Sequence, residues 1–121
     1  MAKTLLVVDD SASMRQLVSF AITDAGYDVL VAENGRDALG KLNATKVDMV
    51  ITDLNMPEMD GIELIKQLRS MPDYRFAPIL MLTTEAQEEK KQEGKQAGAS
   101  GWIVKPFTSQ QLINVMKKFI R

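Results

Sequence analysis

Three carboxylates, one hydroxyl and one ammonium stand at the ends of short apolar runs in this 121-residue chain. Leu5-Leu6-Val7-Val8 stops at Asp9-Asp10, and Met49-Val50-Ile51 leads through Thr52 to Asp53. Ile79-Leu80-Met81-Leu82 ends at Thr83, and the run from Gly101 to Val104 is followed by Lys105. If the three aspartates meet, they repel one another and resist ionisation unless a cation joins them. Such a set suits a hard metal ion. It also suits phosphorus chemistry, in which a carboxylate attacks while a metal and a cationic side chain neutralise the spread-out charge. In that scheme two carboxylates hold the metal, the third attacks, the lysine clamps a phosphoryl oxygen and the hydroxyl bonds another.

Composition removes other chemistries. With no histidine there is no imidazole base, catalytic triad or imidazole metal ligand. With no cysteine there is no disulfide, thiolate nucleophile or zinc-thiolate site, which fits a reducing cytoplasm. Any metal is held by oxygen, so magnesium, manganese or calcium is the candidate. Fifteen basic residues against 16 acidic ones give a net charge of -1, which argues against a general nucleic-acid binder. No apolar stretch approaches membrane-spanning length, and the start runs straight into the first strand without a signal-peptide pattern.

The elements that position these residues alternate. Short β-branched runs at 4–8, 28–32, 47–52, 79–83 and 101–104 read as strands buried on both faces of a parallel sheet. Between them run helical patterns. Met14, Leu17, Val18, Ala21 and Ile22 precede a stop at Gly26. Asn34 caps a helix to about Leu42, and Ile62, Ile65 and Leu68 mark one near 62–70. A charged helix from Glu85 to Ala97 ends at Gly98, and Leu112, Ile113, Met116, Phe119 and Ile120 line the last. Five β-α units imply an α/β domain over residues 1–121, a doubly wound sheet with helices on both faces. The flavodoxin-like strand order 2-1-3-4-5 sets the ends of strands 1 and 3 side by side at the switch point, where ligands bind. The charged helix holds only Ala86 and Ala97 as apolar residues and is weakened by Gly94, so it is expected to be the least firmly held.

The segments VVDDSASMR, TDLNMPEMDG, MLTTE and GWIVKPF resemble bacterial response-regulator receiver domains over essentially the whole chain. The resemblance implies that Asp53 is the phosphoacceptor. It implies a magnesium site made by Asp9, Asp10, Asp53 and the backbone carbonyl of Asn55. Lys105, Thr83 and the backbone amide of Thr84 would bind the phosphoryl group, and Asn55 and Glu85 would tune its hydrolysis. Lys105-Pro106 would be a cis peptide. Trp102 stands where the family usually has a smaller ring that swings inward on activation. The larger indole needs more room, which implies a less populated inward state.

The same resemblance points to the single-domain members that serve chemotaxis. It implies a phosphoacceptor signalling protein with at most self-catalysed phosphotransfer and autodephosphorylation. The partners would be a histidine kinase as donor and a flagellar switch protein as target, with a phosphatase as a third. The protein would act as a monomer, without nucleic acid, membrane insertion or an attached output domain. The partner face would carry Lys90, Lys91, Lys95 and Trp102, with Lys117 and Lys118 beside them.

Two rivals share the chemistry. One is a phosphorelay shuttle. The other is an aspartate-nucleophile phosphatase, against which Asn55 stands where a general-acid aspartate is expected. A flavodoxin-type cofactor protein is disfavoured because the loop after strand 1, Asp9 to Ser13, has no glycine and two carboxylates.

Overall fold

A computed structural model of the protein describes residues 3–84 and 88–120. In chain order the elements are β1 (Thr4–Val8), α1 (Ala12–Asp24), β2 (Asp28–Ala32), α2 (Gly35–Ala44), β3 (Met49–Asp53), α3 (Gly61–Arg69), a 3-10 turn (Pro72–Tyr74), β4 (Ile79–Thr83), α4 (Glu88–Ala97), β5 (Gly101–Val104) and α5 (Ser109–Phe119). All sheet pairings are parallel, and the strand order is β2-β1-β3-β4-β5. This is the doubly wound α/β architecture that the alternating sequence implies.

Each central strand feeds two cores, because side chains alternate across a strand. Leu6, Val8, Val50, Ile79 and Met81 face the cluster covered by α2 and α3, while Leu5, Val7, Met49, Ile51, Leu80 and Leu82 face α1 and α5. These strand residues are fully buried, so their apolar runs are continuous rather than alternating with polar residues.

Four helices start just past the strand ends, each with a side-chain cap. Ser11 Oγ accepts from Met14 N at 3.3 Å, Asn34 Oδ1 from Asp37 N at 2.8 Å and Asp60 Oδ1 from Glu63 N at 2.8 Å. Thr108 and Gln111 form a reciprocal capping box on α5. These caps satisfy first-turn amides that would otherwise lack partners. They also fix where each strand-to-helix loop leaves the sheet rim.

The sequence pattern misses two features. The 3-10 turn after α3 carries no periodic signal. Gly94 does more than lower helix propensity. It is buried, and a Cβ there would lie 2.6 Å from Met81 Cε. The glycine lets α4 lie directly on β4. No helix of the described residues is long and apolar enough to cross a membrane.

Candidate functional site

All five strands run the same way, so their carboxyl ends share one rim. Asp53 is the last residue of β3, and Asp9 and Asp10 follow β1, which pairs with β3 through Val8 and Thr52. Ligand oxygens of the three carboxylates lie within 4.8 Å of one another. Asp9 is 0% and Asp53 6% exposed, whereas Asp10 faces solvent.

Lys105 enters from the end of β5. Its Nζ donates to Asp53 Oδ1 at 3.2 Å and to Asp9 Oδ2 at 3.3 Å, bridging the two buried carboxylates. The Lys105-Pro106 peptide bond is cis. The Lys105 amide donates to the Thr83 carbonyl at 2.7 Å. Thr83 is buried at the end of β4, one residue past Leu82, which pairs with Asp53. The topology therefore brings Asp9, Asp10, Asp53, Thr83 and Lys105 to one place. Asn55 and Thr84 lie exposed on the adjoining loops. Glu85 lies outside the described residues. Trp102 sits mid-strand in β5, in register with Met81 on the α4 side of the sheet, and Lys90, Lys91 and Lys95 belong to α4.

The carboxylates differ in their surroundings. Asp9 is fully engaged: Ser11 N donates to its Oδ1 at 2.9 Å, Lys105 to its Oδ2, and Arg15 Nη1 to its backbone carbonyl at 2.7 Å. Burial, and then the charge of Asp9, push the Asp53 pKa above the ordinary carboxylate value, and Lys105 only partly offsets them. A raised pKa means a more basic and more nucleophilic carboxylate, and the lysine favours its ionised form.

Three carboxylates and one ammonium leave an excess of negative charge in a partly buried site, and it adds to burial in raising the Asp53 pKa. The donor set is oxygen only, with an exposed side at Asp10. Those properties fit a hard divalent cation that keeps several waters, as magnesium does.

Comparison with known proteins decides the family. The response regulator receiver domain model matches residues 5–117. The chain belongs to the response regulator receiver domain family. Receiver domains use a divalent metal, typically magnesium, in accord with the acidic cluster. This receiver domain is 47% identical to chemotaxis protein CheY1 of Helicobacter pylori over 112 residues, 89% of either chain. It is 41% identical to chemotaxis protein CheY-3 of Vibrio cholerae over 115 residues, 94% of this chain and 88% of that one. The solved structure of Vibrio cholerae chemotaxis protein CheY4 superposes with a TM-score of 0.96 at 48% identity, covering 99% of this chain and 100% of that one.

Two supporting residues of the receiver site, and one that braces the opposite end of the sheet, escape a reading of the sequence. Arg15 holds the Asp9 carbonyl from α1, six residues away, a spacing that carries no motif. Gly61 lets the start of α3 touch the end of β3: a Cβ there would lie 2.3 Å from the Asp53 carbonyl oxygen and 3.0 Å from Leu54 Cα. The Asp60-Gly61 pair signals a helix start, but the close approach behind Asp53 exists only in the fold. Arg69, at the end of α3, donates to four carbonyls: Gly98 (2.7 Å from Nη2, 3.0 Å from Nε), Tyr74 at 2.7 Å, Ala77 at 2.7 Å and Arg75 at 3.2 Å.

Proposed function

We propose that this receiver domain is a phosphorylation-operated switch in which Asp53 takes a phosphoryl group from a phosphohistidine on a separate histidine kinase. The observation that carries the reading is the buried Asp53 at the end of β3, its pKa raised and its Oδ1 held by Lys105. An Asp53 carboxylate oxygen bonds to phosphorus as the P–N bond to the donor imidazole breaks. The bonding electron pair leaves with the ring, which takes up a proton. Because these 121 residues include no histidine, the donor imidazole lies outside them.

Asp9, Asp10 and Asp53, with the Asn55 carbonyl, would hold magnesium, which supplies charge neutralisation for the transferring group. Lys105 is placed to pair with the phosphoryl oxygens once Asp53 is phosphorylated, because its Nζ already rests on that carboxylate. Thr83 and the Thr84 amide are assigned the remaining phosphoryl contacts, and Asn55 and Glu85 the tuning of hydrolysis. The protein signals by binding, with self-dephosphorylation as its own catalysis.

The chemotaxis relatives favour a flagellar switch protein as the target. The face for it carries Lys90, Lys91 and Lys95 of α4 and Trp102, which also lines a shallow groove of about 300 Å³ between β5 and α5 with Val115, Lys118 and Phe119. Its lysines suit an acidic amphipathic segment. Acetyl phosphate with magnesium should label the wild-type protein at Asp53, and Asp53→Asn should abolish the label. Labelling of the variant at equal stoichiometry sinks the assignment. Pull-down with beryllium fluoride and magnesium separates the outputs, since a flagellar switch component supports chemotaxis and a phosphotransfer protein supports a relay.

A further inference from the structure

Helix α4 has almost nothing apolar with which to hold the sheet. Its sequence from Glu88 to Ala97 contains one alanine and one glycine among charged and amide residues. Its C-terminal half is nevertheless anchored. Gly94 lies on Met81, Ala97 packs into the core cluster, and the Gly98 carbonyl just beyond the helix accepts two hydrogen bonds from Arg69.

The N-terminal half reaches the sheet differently. Lys91 precedes Gly94 by three residues, so the two are neighbours on one helix face. Trp102 pairs with Met81 across β4 and β5, so the indole lies beside the thioether on which Gly94 rests. Lys91 Nζ sits 5.7 Å from the centre of the Trp102 ring, within the range of a cation–π contact. Lys90, by contrast, pairs with Glu93 on the helix surface at 3.7 Å. Both Lys91 and Trp102 are partly buried. The indole packs against the core cluster on the α4 side of the sheet, and the lysine lies over its ring.

We propose that the Lys91–Trp102 stack is a clasp fastening the N-terminal half of α4 to β5, and that it opens when Trp102 leaves its present position. Lys91 is then a positioning residue for the indole. The second half rests on the phosphoryl-switch reading above, and the first does not. Because the C-terminal half of α4 is held independently, opening the clasp frees one end of the helix and leaves the other in place. The ring and the helix end thus move as a pair. A small tyrosine or phenylalanine ring offers less surface to a cation than indole, so the clasp belongs to the tryptophan.

Trp102 is the sole tryptophan, so the intact protein reports on the clasp by fluorescence. Lys91→Met keeps the length and helix propensity of the side chain but removes the cation, while Lys91→Arg keeps the charge. In the unphosphorylated protein, Lys91→Met should shift emission to longer wavelength and make Trp102 more accessible to acrylamide, with Lys91→Arg close to wild type. In a double-mutant cycle with Trp102→Leu, the unfolding equilibrium constants should couple by about two- to fivefold. Unchanged emission and quenching in Lys91→Met together with an additive cycle overturn the clasp. In a beryllium fluoride titration with magnesium, Lys91→Met should respond at about two- to fivefold lower concentration than wild type, because no clasp has to open. Equal midpoints overturn the opening step. A wild-type signal that ignores beryllium fluoride, with coupling intact, removes the switch role of Trp102 and leaves the clasp standing.

Discussion

At the scale of single residues, Asp53 is held at a cost to the fold. Its raised pKa means that the folded protein binds its proton more tightly than the unfolded chain does. Stability therefore falls as pH rises from the ordinary carboxylate range through the raised value, and the full penalty remains above it. Asp53→Asn removes that penalty while leaving Lys105 its partner Asp9. In metal-free buffer at neutral pH the variant should melt above wild type, by roughly 4 °C for each kcal/mol relieved. The gap should shrink as pH is lowered through the window and vanish once Asp53 is protonated in both states. A wild-type protein that melts higher than Asp53→Asn at neutral pH contradicts this electrostatic account. Lys105 cannot by itself reverse the shift, because it divides its charge between two carboxylates.

At the scale of elements, the site depends on backbone contacts far less obvious than its charges. Gly61 brings the first turn of α3 against the Asp53 carbonyl, and its amide donates to the Leu54 carbonyl at 2.9 Å. Gly61→Ala places a methyl group against backbone that cannot rotate away. It should cost about 1–3 kcal/mol by chemical denaturation and slow acetyl phosphate labelling, because β3 must shift beneath Asp53. Unchanged stability would show that α3 can retreat freely. Arg69 joins the ends of α3 and α4 to the 3-10 turn, with a guanidinium that remains charged although burial lowers its pKa. Arg69→Met strands several carbonyls and should destabilise the protein by about 2–4 kcal/mol. A double-mutant cycle with Lys91→Met should be near additive, since the two hold opposite ends of α4.

At the scale of the whole molecule, the parallel sheet gathers more negative charge on one rim than its own cations offset. A divalent metal that binds only this assembled rim stabilises the folded state by mass action, by about 2.7 kcal/mol at one hundred times its dissociation constant. Magnesium should therefore raise the melting temperature of wild type, and chelator should reverse the rise. Asp9→Asn and Asp10→Asn should each blunt the response. A magnesium-independent melting curve would remove the three carboxylates from metal binding. The remaining surface is nearly balanced in charge, so the field at the rim is local rather than a property of the whole protein.

The sequence by itself determined the five strands, the helices between them and the family, because buried parallel strands read as short β-branched runs and the site residues sit at their ends. Asp9, Asp10, Asp53, Thr83 and Lys105 were legible for that reason: a strand end fixes a residue's place in the fold without knowledge of its neighbours. Tertiary structure alone decided that Lys105 bridges Asp9 and Asp53, that burial raises the Asp53 pKa, that Arg15 and Gly61 brace the site, and that Arg69 ties together the opposite end of the sheet. Their partners lie far along the chain or are backbone atoms, and neither leaves a periodic or compositional trace. The same holds for Lys91 and Trp102. Each reads alone as a surface lysine and a strand tryptophan, and only the crossing of α4 over β5 makes them a pair.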